Sequence, residues 1–288
     1  MRRAILVVNP VAGGGRAMRE RASVVEALGG AGWSVEEVIA QSPEHATSIA
    51  AGAGLGDVVV SLGGDGLLGL VVKGAVRSGC AVAPLPAGRG NDFARFVGIT
   101  ADAATAAAGL ASAAERVVDV GWVGETPFLG VVTIGYDSLA NTLANEASFM
   151  RGSLVYVVGG VRALMKTRPT PITLTVDGED HELSAWNVAI GNSGRYGGGL
   201  HAAPDARLDD GLLDVVVADG AMSRTRFVGY LVRLLAGRHL GYRGVRTWQA
   251  QAVRVSSTER LVVFADGDPV GTLPVDLTVS RAALRILA

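Results

Sequence analysis

A chain of 288 residues has room for one large domain or two of ordinary size, and 49% hydrophobic against 18% charged residues describes a folded core rather than a disordered chain. The formal net charge of −1 gives no electrostatic argument for a nucleic-acid partner, and a single cysteine, Cys80, excludes an internal disulfide. The 40 glycines cluster at the ends of apolar runs, which points to tight turns and phosphate loops rather than to a linker.

In chain order, the short apolar run Ala4–Asn9 is stopped by Asn9-Pro10 and reads as a first strand, not a secretory leader. Val35–Ile39, Asp57–Leu62, Ala81–Pro84 and Arg116–Val120 continue as strands. Between them Arg16–Leu28, Pro43–Ala53, Leu67–Arg77 and Asp102–Ala114 read as helices. Strands that are apolar throughout and alternate with helices predict a parallel sheet covered on both faces, with ligands bound outside the carboxyl ends of its strands.

From about Gly121 the pattern changes. Val131–Ile134, Ile172–Val176, Asn187–Ile190, Leu213–Val217, Val253–Ser256 and Leu261–Phe264 read as strands separated mostly by turns, with helices at Leu154–Lys166 and Arg224–Leu235. Alternation in Thr173–Val176 followed by Asp177-Gly178 predicts an antiparallel hairpin. The expected fold is therefore an α/β N-terminal domain with a parallel sheet over residues 1–121, followed by a β-rich, two-sheet domain over 122–288. A tail from about 280 to 288 returns to the first unit in this reading. No window approaches the ~18 apolar residues of a membrane span, and the best, Leu154 to Met165, contains Arg162. The chain is expected to be cytoplasmic.

Three turns of the first unit suit close backbone approach to an anion. Asn9-Pro10-Val11-Ala12-Gly13-Gly14-Gly15-Arg16 follows a strand and opens a helix, where amides and the helix dipole favour a phosphate and Arg16 offers a partner. It lacks the Gly-Lys-Ser/Thr of a Walker A loop. Gly63-Gly64-Asp65-Gly66 is the second turn. Pro86-Ala87-Gly88-Arg89-Gly90-Asn91-Asp92 is the third, and there Asn91 and Asp92 also suit a plain helix cap. The four histidines have no metal-ligand spacing, and Ser61 and Ser193 lack a nucleophile-elbow frame. Trp33, Trp122, Trp186 and Trp248 read as core residues.

Gly63–Gly66 together with Pro86 to Arg95 closely resembles the diacylglycerol kinase catalytic family, which includes soluble bacterial lipid kinases and the sphingosine and ceramide kinases. The similarity continues in order through Val188–Asn192, Tyr196–Gly199, Ala203–Ala206, Leu208–Asp214, Gly237-Arg238-His239 and Asp266-Gly267-Asp268-Pro269. The resemblance implies ATP bound by the first unit, a lipid reached through an interdomain cleft, and transient docking at a membrane surface. It also implies that Gly63, Gly64, Asp65 and Gly66, with Asn9, Gly13, Arg16, Gly88, Arg89, Asn91 and Asp92, hold the nucleotide. Asp65 would lie near the phosphates or their Mg²⁺. In the family an Asp-Gly-Glu motif supplies the base, and here it reads Asp266-Gly267-Asp268. Both Asp268 and Asp266 stay candidates, and without the family Asp-Gly-Asp-Pro reads as a hairpin turn. A second, structural Mg²⁺ is implied at Asp210 with the carbonyls of Arg207 and Leu212. A homodimer is left open.

The chain departs from the family at Ala12, Ala40, Leu67, Leu70 and Arg89, which remove hydroxyls and a carboxylate and add a guanidinium. Three readings follow: an ATP-dependent kinase acting on a hydroxyl of diacylglycerol or a related lipid; a catalytically silent lipid- or nucleotide-binding protein on the same fold; and, ranked last, a kinase for a non-lipid acceptor.

Overall fold

The structure is a computed structural model and describes residues 2–146, 154–197 and 199–288. Its first half contains β1 (Arg3–Val8), α1 (Arg16–Gly30), β2 (Ser34–Ile39), α2 (Pro43–Ala51), β3 (Val58–Gly63), α3 (Asp65–Ser78), β4 (Ala81–Pro86), α4 (Asp92–Phe96), α5 (Ala103–Gly109) and β5 (Glu115–Val123). The strands β2-β1-β3-β4 pair in parallel in that order. β3 and β4 are buried at every position, as strands covered on both faces must be. One face packs on α1 and α5 through Val24, Leu28 and Ala107, the other on α2 and α3 through Ala50, Val71 and Ala75. Ser42 and Asp102 cap α2 and α5 by accepting from the His45 and Thr105 amides, and Pro43 occupies the first turn of α2.

The second half contains β6 (Thr126–Phe128), β7 (Val131–Gly135), α6 (Tyr136–Glu146), α7 (Leu154–Lys166), β8 (Thr170–Val176), β9 (Glu179–Gly191), β10 (Arg195–Tyr196), β11 (Leu200–His201), β12 (Leu213–Asp219), α8 (Arg224–Leu235), β13 (Val245–Ala250), β14 (Ala252–Ser256), β15 (Val262–Ala265), β16 (Asp268–Thr272) and β17 (Val275–Leu287). Antiparallel strands fold around one core containing Phe128, Ile134, Leu174, Ile190, Val215, Val255, Val263 and Leu277. Asp177 and Gly178 both take positive φ, the geometry of a two-residue hairpin, and join β8 to β9. A layer of α6, α7 and α8 covers the outer face of β9 and β12 through Trp186, Ala218, Phe227 and Tyr230.

β17 stitches the halves together. It pairs with β14 at Val275–Thr278, with β5 along much of its length, and in parallel with β4 at Arg285 and Ile286. Its register shifts between Ser280 and Leu284, where Ala282 takes a φ of 51° and donates its amide to Asp119 Oδ1 at 2.7 Å. The bulge is thus satisfied by a carboxylate buried in β5. Among the described residues no helix is long and apolar enough to cross a membrane.

Candidate active site

The strands β1, β3 and β4 end side by side, so the three Gly-rich turns meet at one edge. Gly13, Gly14 and Gly15 all have positive φ (58°, 66° and 82°), a run that side chains tolerate poorly. An added Cβ on Gly13 would strike the Ala87 carbonyl, so the first turn lies against the third. Gly64 and Gly88 approach with their backbones in contact: a Cβ on Gly88 would collide with the Gly64 Cα. The Ala87 amide donates to the Gly63 carbonyl at 2.8 Å and completes the seam.

Polar side chains staple these turns from inside. Asp65, in the first turn of α3, accepts the Asp92 and Phe93 amides at 3.2 Å each and so caps α4 from another element. Burial raises the pKa of its carboxyl, and the charge of Asp92 adds to that. Asn91, buried and left-handed, accepts the Gly88 amide at 2.8 Å and donates to the Gly88 carbonyl at 3.0 Å, closing the third turn. Its side chain makes no helix-cap bond. Asn9 accepts the Val11 amide at 3.1 Å. Arg16 is held by Glu20 one turn along α1, Nε to Oε1 at 2.7 Å. Arg89 is exposed and, among the described residues, has no carboxylate within 4 Å.

The second half contributes the turn between β15 and β16. Asp266 and Gly267 take φ of 49° and 90°, so the segment is a two-residue hairpin, and it is also an acidic feature facing the first half. Asp266 accepts three consecutive amides, Leu129 at 2.9 Å, Gly130 at 2.9 Å and Val131 at 3.0 Å. Burial, with the Asp65 charge adding, pushes its carboxyl up to about 7, against the pull of those amides. Asp268 differs. Its residue is exposed, no hydrogen-bond partner is found among the described residues, and burial of the carboxyl raises its pKa. An added Cβ on Gly66 would lie 2.9 Å from Asp268 Oδ2, so this carboxylate stands directly over the Gly-Gly-Asp-Gly turn.

The segment Arg207–Leu212 docks elsewhere. Asp119 Oδ2 accepts the Gly211 amide at 2.6 Å, and the Asp119 amide donates to the Leu208 carbonyl at 2.7 Å. Asp210 Oδ1 accepts the Leu212 amide at 3.0 Å, and Arg207 pairs with Asp209 at 3.2 Å. Beside it Asp214 Oδ2 is buried with no hydrogen-bond partner among the described residues, and burial first, then the charges of Asp210 and Asp205, pushes that carboxyl up to about 6. Among the described residues, no three His, Cys, Asp or Glu side chains converge as a ready-made metal cage. Gly198 of the Tyr196–Gly199 run lies outside the described residues.

Two contributors escape the sequence reading. The Leu129-Gly130-Val131 amides hold Asp266, and Gly130 has to be glycine because a Cβ there would lie 2.5 Å from Asp266 Oδ1. Asp119 ties the 207–212 segment to β17, and an acid inside the apolar run Val117–Val120 was its available signal. Leu67 is buried beneath Gly63, and Leu70 packs on the same core, so neither points a polar gap at the turn.

Comparison with known proteins agrees with this layout. Residues 3–123 match the diacylglycerol kinase catalytic domain, and residues 130–288 match the YegS C-terminal NAD kinase beta sandwich-like domain. A diacylglycerol kinase from Mycobacterium tuberculosis is 31% identical, covering 98% of this chain and 93% of its own. One from Bacillus subtilis is 28% identical, covering 95% of this chain and 92% of its own. A crystal structure of a diacylglycerol kinase from Bacillus anthracis superposes with a TM-score of 0.83 at 23% identity, covering 99% of this chain and 96% of that one, which shows the shared fold.

Proposed function

The chain belongs to the diacylglycerol kinase family, and from that premise we propose that it is a lipid kinase moving the γ-phosphoryl group of ATP to a hydroxyl of diacylglycerol or a related lipid. In this reading residues 1–121, with the returning segment 280–288, hold the nucleotide, and residues 122–288 hold the lipid. Gly63, Gly64 and Gly66 with Gly88, Arg89 and Asp92 face the phosphates. Asn9, Gly13, Arg16, Asp65 and Asn91 shape the turns that do so. Phosphoryl transfer depends on charge neutralisation and in-line positioning, which amides and a free guanidinium supply.

The observation that carries the proposal is Asp268, an unpartnered carboxylate from the β-rich half standing over Gly66 of the nucleotide turn. As the lipid hydroxyl oxygen bonds to the γ-phosphorus, the bond to the β-phosphate oxygen breaks and ADP departs. The hydroxyl proton passes to Asp268. Asp266 is a positioning residue in this scheme, because three amides hold it, two on Oδ1 and one on Oδ2.

Mg²⁺ fits two places. Beside the nucleotide, Asp268 would be the carboxylate near enough to help hold it, and the ion would supply charge neutralisation at the phosphates when bound. In the 207–212 segment, Asp210 and the Arg207 and Leu212 carbonyls would hold the structural ion. The supporting observation is the neighbouring Asp214 Oδ2, buried without a partner among acidic neighbours.

Labelled γ-phosphate offered with a panel of lipids in mixed micelles tests the proposal. Transfer to a diacylglycerol-like acceptor is expected, and folded protein that transfers to no lipid overturns it. Ala12 and Arg89 support a second reading, a silent binder on the same fold. Tight Mg-ATP binding by calorimetry without turnover on any lipid would favour that one.

A further inference from the structure

β9 ends at Gly191, opposite Val131 of β7, and the chain then turns sharply: an added Cβ on Gly191 would lie 2.8 Å from the Ser193 carbonyl oxygen. The turn leaves Asn192 and Ser193 with no exposed surface. Both of their amides donate to the Gly130 carbonyl, at 2.9 and 3.1 Å. Asn192 Nδ2 donates to the Asp119 carbonyl at 3.0 Å and to the Leu129 carbonyl at 3.4 Å. Two carbonyl oxygens can face only the amino end of an amide, and Asn192 Oδ1 has no partner among the described residues. Burying an amide costs stability unless its bonds offset the loss of water, so the donor end is the part of this side chain that the fold uses.

Those bonds converge on the segment that holds Asp266. Asn192 and Ser193 donate to the carbonyls of Leu129 and Gly130, while Asp266 accepts the amides of Leu129, Gly130 and Val131. The Asp266 amide returns the contact by donating to the Val131 carbonyl at 3.1 Å. Asp268 follows two residues later with no hydrogen bond of its own among the described residues, so its place over Gly66 is inherited from this segment. A carboxylate without an anchor is only as well placed as the hairpin that carries it, and a misplacement of about 1 Å can cost on the order of 10²-fold in rate.

We propose that Asn192 is a positioning residue for phosphoryl transfer: by holding the peptides at Leu129 and Gly130 it sets the Asp266 hairpin and, through it, the Asp268 carboxylate. The effect on rate rests on the lipid-kinase reading, whereas the holding is measurable without turnover. Asn192→Leu keeps the volume and removes the donor, and Asn192→Ala removes both. Each should lower kcat about tenfold or more while KM for Mg-ATP stays within about twofold, since no bond of Asn192 reaches the Gly-rich turns. Hydrogen exchange should quicken in both variants over residues 127–132 and 263–268 together. Leu174→Ala, buried in the same core but outside this chain of bonds, should lower melting at unchanged kcat. Unchanged kcat in folded Asn192→Leu and Asn192→Ala overturns the proposal. So does an equal loss of kcat in Leu174→Ala, or faster exchange confined to residues 191–193. Wild-type protein that transfers to no lipid, with exchange still quickened over both segments in the variants, defeats the kinase reading and supports the holding. Transfer that survives both Asn192 variants defeats the positioning alone.

Discussion

In the α/β half, the polar side chains of the Gly-rich turns face inward. Asp65 accepts the Asp92 and Phe93 amides and Asn91 closes on Gly88, so both side chains are spent within the turns. In the β15–β16 hairpin of the other half, two carboxylates two residues apart divide the work. Asp266 is held by three amides, while Asp268 has no partner among the described residues and stands over Gly66. The contrast teaches that an acid's role is set by its donors rather than by its motif. A carboxylate held by amides builds the turn, and an open one can accept a substrate proton.

The largest expected effect tests that division directly. Asp268→Asn should lower kcat about 10²–10⁴-fold, the range of a lost general base. Melting should hold within about 0.5 kcal/mol, because among the described residues the side chain has no hydrogen bond to lose. Asp266→Ala should show the reverse emphasis. It leaves the Leu129, Gly130 and Val131 amides without an acceptor, at a cost of about 1–3 kcal/mol for each that stays buried, and denaturant unfolding reads the loss. Asp266→Asn should lie between the two alanine and wild-type values, because Oδ1 can still serve two amides while the new NH₂ faces the third. If Asp266→Asn abolishes turnover at full stability and Asp268→Asn does not, the two roles are exchanged.

A smaller effect comes from the other side of the same contact. Gly66 is the second residue of α3 and its φ lies outside the left-handed region, so the backbone there accepts alanine. A Cβ there would lie 2.9 Å from Asp268 Oδ2 and displace it. Gly66→Ala should therefore melt no lower than wild type while losing about tenfold in kcat, a displacement of the order that misplacement costs. Equal kcat in this variant would mean that Asp268 does not work from the position described.

Much of this was legible in the sequence for physical reasons. Apolar strands such as β3 and β4, followed by clustered glycines and alternating with helices, point to a covered parallel sheet, and Asp177-Gly178 announces its hairpin by the φ it demands. β17 was harder. The stretch Ser280–Leu287 carries Ala, Leu and Arg, which local preference sends to helix, and only pairing with β4 and β5 makes it a strand. α6 has no counterpart among the expected helices, and its fixation comes from packing with Trp186 and from Asn187 accepting the Asp137 amide. At the site, the acids were visible but their partners were not. Nothing local says that residues 129–131 meet Asp266, since their amides arrive from over a hundred positions away.

The gentlest test is pH, and it sharpens the same contrast. Asp268 must be ionised to accept a proton, and burial raises its pKa above the ordinary carboxylate value. The sign follows: activity is full where Asp268 is charged and is lost as pH falls through the raised pKa. The acid limb of kcat should therefore lie above the ordinary aspartate value near 3.9, with about a tenfold loss per unit below it. Asp266→Asn should keep that limb where it is, since burial is what raises the Asp268 carboxyl. A limb that vanishes in Asp266→Asn would instead assign the titration to the amide-held carboxylate, whose own pKa is pushed up to about 7. Rising ionic strength should leave the limb nearly fixed if burial is its cause, because salt screens charge pairs and not desolvation.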